Sequence, residues 1–158
     1  MRRALAVLTA LLLVSCDDEL TEPRPQSELL EAPTAVTVGA QSLVLEPYVY
    51  RDFMPGAAPP GGSAMIAGIR VRATNGAALP RSFRADSVWV IAGPQQVWAA
   101  PLAEHRFDDA PPYTYESVAR DGPKWAPGTP IDVVVRVRDG SGPPQLLRAP
   151  NEVVRQTW

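Results

Sequence analysis

Residues 131–138 constrain the fold more than any other stretch. Ile131, Val133, Val135 and Val137 alternate with Asp132, Val134, Arg136 and Arg138. Period two belongs to an extended strand, so one set faces a core and the other faces away. The pattern predicts Val133 and Val135 between two layers, with Arg136 and Arg138 in solvent. A slip of one residue would bury two guanidinium groups, so the register is strongly specified. Residues 64–74 repeat the signature: Met65, Ala67, Ile69 and Val71 on one face, Arg70 and Arg72 on the other. The chain carries 18 Pro and 11 Gly, which cut it into short runs and disfavour long helices.

The remaining runs agree. Residues 36–38 and 42–50 read as extended, and Pro47 marks an edge or a bulge because it cannot donate to a ladder. Residues 54–63 are a loop by composition, and Asn75-Gly76 is a turn signal. Residues 87–92 are apolar on both faces, as a central strand would be. Residues 96–102, carrying Trp98, and 113–119 follow, and 123–130 form a long turn around Trp125. After the turn at 139–142, residues 145–148 can return antiparallel, and Pro143-Pro144 argues against a tight two-residue hairpin. Residues 152–157 supply a last short strand. Many short strands with Gly/Pro turns predict an all-β sandwich or barrel over 35–158. The arrangement loosely resembles the immunoglobulin-like domains of bacterial envelope proteins, with Trp89 on a central strand but without their cysteine pair. That resemblance implies an antiparallel β-sandwich.

The amino-terminal end has a different character. Arg2 and Arg3 precede an apolar run from Ala4 to Val14, interrupted only by Thr9. The run is far short of the roughly 20 residues that span a bilayer. A basic start, a short apolar segment and a small residue at its end describe an export signal. Leu13, Val14, Ser15 and Cys16 resemble the lipobox of bacterial lipoproteins, a likeness confined to residues 1–16. It implies cleavage between Ser15 and Cys16, a diacylglyceryl thioether on Cys16 and an acylated new amino terminus. One acyl chain holds a protein only marginally, so two or three suit a stable anchor. Cys16 is the only cysteine, which excludes an intramolecular disulfide. Asp17 matches the position that, in enterobacterial lipoproteins, is associated with retention at the inner membrane. The expected location is the periplasmic face of that membrane where this rule applies, and otherwise the outer membrane or cell surface.

Residues 16–34 read as the lipidated cysteine and an acidic tether. Asp17, Asp18, Glu19, Glu22, Glu28 and Glu31 stand against Arg24 alone, and Pro23, Pro25 and Pro33 interrupt the segment. Little of it is apolar enough to offset its ordering entropy. The alternative is a short helix over 27–32 that docks on a partner. Net charge is −2 for the whole chain, and the acidity lies in the tether. Nucleic-acid binding, which needs a concentrated basic patch, is not indicated.

No motif marks catalysis or a cofactor. The single histidine, His105, sits among Glu104, Arg106, Asp108 and Asp109. Zinc sites need several His or Cys ligands, and calcium needs six to eight oxygens without an EF-hand loop here to supply them. No nucleophile elbow, phosphate loop or dinucleotide fingerprint occurs; Gly140-Ser141-Gly142 reads as a turn. Arg70 with Arg72, and Arg136 with Arg138, would form one four-arginine patch for an anion if their strands were neighbours. Otherwise they are solvent faces that limit edge pairing. Most aromatic residues suit the core, with Trp98 and above all Trp158 the candidates for an exposed surface. The expectation is a lipid-anchored envelope sandwich that binds or scaffolds, with an envelope protein as a candidate partner. A small-ligand or carbohydrate binder using loop aromatics is the alternative, and a hydrolase with a carboxylate site comes third.

Overall fold

The computed structural model describes residues 24–105, 110–140 and 142–158. Among the described residues, ten strands make two sheets packed face to face. Sheet A runs β1(Val36–Val38), β2(Gln41–Asp52), β3(Met65–Ala73), β7(Thr114–Gly122), β6(Ala103–Glu104), and β10(Arg155–Thr157) joins it parallel to β2. Sheet B runs β5(Gln96–Pro101), β4(Phe83–Gly93), β8(Pro130–Asp139), β9(Gln145–Val153). Every pairing except β10 with β2 is antiparallel.

Naming β2 to β9 consecutively as A, B, C, C′, D, E, F and G gives A-B-E-D facing C′-C-F-G. That is the Greek-key order of immunoglobulin-type sandwiches. The expected antiparallel β-sandwich is therefore the fold. Pro47 lies where neither β1, paired to residues 41–43, nor β10, paired to 50–52, covers the edge of β2, so its missing N–H costs no ladder bond.

The core between the sheets contains the residues that alternation assigned to it. Ile131, Val133, Val135 and Val137 of β8 meet Met65, Ala67, Ile69 and Val71 of β3, with Phe83, Val88, Val90 and Leu147. Tyr115 packs edge-on against Phe83, ring centroids 5.4 Å apart.

Trp89 departs from the immunoglobulin pattern. Simple alternation from Phe83 would place it between the sheets. A bulge between Ala85 and Ser87 inserts Asp86 as an extra residue and flips everything after it. Val88 and Val90 then enter the core, while Trp89 and Ile91 turn to the outer face of sheet B.

The tether needs a correction. Residues 26–30 form α1(Gln26–Leu30), and the helix docks on its own domain. Leu29 and Ala32 are buried against Trp89, Ile91 and Val134. Five residues cannot hold a helix alone. Burying Leu29 contributes about 1.5–3 kcal/mol, Gln26 Nε2 donates to Gly93 O at 2.8 Å, and Arg148 N donates to Pro33 O at 2.8 Å. The folded unit thus starts near Arg24, not Ala35. This cover also explains Val134, an apolar residue on the supposedly wet side of β8.

Arg51, at the inner end of β2, is only 5% exposed. Its guanidinium donates to the backbone oxygens of Ser63 (2.9 Å), Lys124 (3.2 Å), Trp125 (3.2 Å) and Gly61. It ties the 53–64 loop to the 123–129 loop and closes that end of the sandwich. No helix among the described residues is long and apolar enough to cross a membrane.

Candidate functional site: a groove on the outer face of sheet A

The two Arg-Val-Arg pieces do not form one patch. Arg70 and Arg72 are on β3 in sheet A, and Arg136 and Arg138 are on β8 in sheet B. Each is also paired. Arg70 donates to Glu116 Oε1 from Nε at 2.8 Å, with Nη2 at 2.7 Å from the same oxygen. Arg72 Nε donates to Glu46 Oε1 at 2.6 Å. Asp86, carried outward by the bulge, takes Arg136 Nε at 2.7 Å and lies 2.8 Å from Arg138 Nη2. Arg136, expected in solvent, is 4% exposed; its charge is tolerated because a carboxylate and neighbouring groups meet it.

Trp98, a candidate for the exposed surface, packs partly into the core, and a Cβ at Gly122 would come within 2.9 Å of its ring. Gly122 is small because Trp98 occupies that space. Trp158 is exposed as expected, beside Phe53 with ring centroids 6.2 Å apart. Ser15, Cys16 and Asp17, together with Asp108 and Asp109, lie outside the described residues. No cluster of metal-ligating side chains occurs among the described residues.

What the structure does assemble is a groove of about 470 Å³ across β2, β3 and β7. Strand register builds it in rows. Glu46, Arg70 and Glu116 face one another across the three strands, and Tyr48, Gly68 and Val118 form the next row. Tyr50 and Ile66 form the row after that, with Arg120 alongside at the bulge in the β3–β7 pairing. His105 borders the first row, its backbone N–H donating to Glu116 O at 3.0 Å. From the Glu46 row to the Tyr50 row is four residues, or about 13 Å at ~3.3 Å each.

The walls and floor differ in chemistry. Tyr48 and Tyr50 make one wall, ring centroids 5.3 Å apart, and Arg155 of β10 lies 5.3 Å over the Tyr48 ring. Gly68 leaves the floor low between Tyr48 and Val118. Glu116 is 8% exposed, and its Oε2 is buried without a hydrogen-bond partner among the described residues. Such an atom carries an unmet desolvation penalty until a donor reaches it. Arg70 is half-exposed beside it. Arg120 is exposed and has no carboxylate partner among the described residues.

A second depression, about 590 Å³, runs along α1 between Gln26, Leu30, Ile91, Pro130 and Asp132. Its one acid, Asp132, already accepts from Asn151 N at 3.0 Å, and the rest of its wall is mainly apolar.

Sequence reasoning named Arg70 and His105 without joining them, assigned most aromatic residues to the core, and gave Glu116 and Arg120 no role. The available signal was the mixed outer face of 113–119, where a glutamate sits on a strand with few other acids. No protein-family model matches the chain, and no curated protein and no solved structure matches it.

Proposed function

We propose that this protein is a lipid-anchored ligand-binding module of the bacterial cell envelope, and that the ligand sits in the groove of sheet A. The observation that carries the reading is the row structure of that groove. Aromatic rings, a low glycine floor, a buried carboxylate and an exposed arginine without a carboxylate partner among the described residues converge on one concave surface. Few convergent polar groups set in an aromatic-lined cleft are the usual form of a binding site. The aromatics come from a sheet face, Tyr48 and Tyr50, rather than from Trp98 or the loops. Binding without chemistry is favoured because Glu46 and Glu116 are each held by an arginine.

The anchor rests on the lipobox residues and Cys16. Mass spectrometry of the mature protein should find Cys16 at the amino terminus carrying diacylglycerol, and Cys16→Ser should abolish partition into the detergent phase. An unmodified Cys16 in mature protein overturns the anchor. For the groove, the full chain in detergent, labelled with ¹⁵N, should show envelope-extract shifts confined to residues of β2, β3 and β7. Shifts centred elsewhere overturn the site.

A further inference from the structure

We infer that the groove of sheet A takes an acidic oligosaccharide. The inference rests on the groove being the binding site, as proposed above, and adds the ligand class.

The lining asks for three things at once. The exposed parts of the Tyr48 and Tyr50 rings offer an apolar wall, which suits the C–H face of a pyranose. Glu46, half-exposed in the lining, offers a carboxylate to an O–H or N–H donor. Arg120, exposed and lacking a carboxylate partner among the described residues, asks for an anion. Arg70 and Arg72 are matched by Glu116 and Glu46, and Arg155 by Glu152, which leaves Arg120 as the lining charge without a carboxylate partner among the described residues. A cation seeking tyrosine faces would meet Arg120 and the Arg155 already over the Tyr48 ring, so an amine ligand is disfavoured. A sugar hydroxyl reaches Glu46, and a ring carboxylate or phosphate reaches Arg120, about 13 Å along the strands from the Glu46 row.

An acidic peptide satisfies only part of this. Extended peptides gain affinity by adding to an open sheet edge. On this face the backbone groups of β3 are used on both sides, by β2 and by β7. A polyhydroxylated ligand needs no backbone ladder.

The test uses the full chain in neutral detergent and isothermal titration calorimetry. The probes are uronate hexasaccharides of galacturonate, mannuronate and glucuronate-containing type, a neutral galactose hexasaccharide, and a hexaglutamate peptide. At least one uronate hexamer should bind, and the neutral hexamer at least tenfold more weakly. Tyr48→Ala and Arg120→Ala should each weaken uronate binding tenfold or more. Gly68→Val should abolish it, because a Cβ there meets Tyr48 O at an ordinary 3.4 Å and the added methyls fill the floor. Unchanged melting of Arg120→Ala, an exposed site, separates lost binding from lost fold. Equal affinity for the neutral hexamer overturns the acidic preference and leaves the groove standing. Hexaglutamate binding as tightly, indifferent to Tyr48→Ala, overturns the saccharide in favour of simple charge attraction. No binding by any uronate overturns the ligand class. Uronate binding untouched by all three variants overturns the groove itself.

Discussion

Arg136 reaches Asp86 across the β4–β8 pair, Nε to Oδ1 at 2.7 Å, and is nearly sealed from solvent. The contact exists because the bulge places Asp86 on the same outer face as Arg136 and Arg138. Two arginines of one alternating strand thereby have different roles. Arg136 is part of a buried ion pair, and Arg138 is a half-exposed outrigger on the same carboxylate.

Arg136→Gln should therefore lower stability by about 3 kcal/mol, because it leaves Asp86 short of its main partner in a partly buried place. Arg138→Gln should cost about 0.5 kcal/mol, as exposed pairs do. Urea melts of the two variants, with the m-value checked for constancy, decide the ranking.

Val135→Asp should destroy cooperative unfolding. Val135 is 0% exposed between the sheets, and an isolated carboxylate there costs as much as a domain's whole margin of about 5–15 kcal/mol. Circular dichroism should show no melting transition.

Arg51→Met keeps length and removes the hydrogen bonds to Gly61, Ser63, Lys124 and Trp125. Stranding buried carbonyls costs about 1–3 kcal/mol each before relaxation, so a loss of roughly 3 kcal/mol or more is expected. Limited proteolysis should cut the variant within residues 54–62 much faster than the parent. Equal cutting rates would show that the loops hold themselves.

Leu29→Asp should undock α1 and leave the sandwich folded. With Leu29 gone from the Trp89 face, the indole becomes wet. Tryptophan emission should shift to the red in the variant, and the shift should vanish in a Trp89→Phe background. The main unfolding transition should stay cooperative.

Much of the sandwich was legible because alternation is local. Ile131, Val133, Val135 and Val137, and Met65 to Val71 on β3, announce their buried face within one strand. The errors came where a distant segment changes what a face meets. Arg136 looked solvated because nothing near it in sequence says that a bulge delivers Asp86. Residues 24–34 looked like free tether because their acids and prolines outweigh Leu29 and Ala32. The clue was on the receiving side: 87–92 is apolar on both faces and Val134 interrupts a polar row, so the outer face of sheet B needed a cover. The groove was the least legible part. Glu46, Arg70 and Glu116 become neighbours only through cross-strand register, which the order of residues along one strand does not contain.

The docked helix has a geometric consequence for a chain lipidated at Cys16. With residues 17–34 all free, the contour between lipid and domain would be about 60 Å; with α1 seated, only residues 17–23 intervene, and the contour is at most about 25 Å. The leash also departs from one known place, since Arg24 lies 5.8 Å over the Trp89 ring on the outer face of sheet B. The groove occupies the opposite face of the molecule. In a chain so anchored, a short leash fastened to the back of the sandwich would turn its palm, with Tyr48, Tyr50 and Arg120, away from the bilayer. Undocking α1 would let that palm swing, so the helix would set the aim of the domain as well as its distance from the membrane.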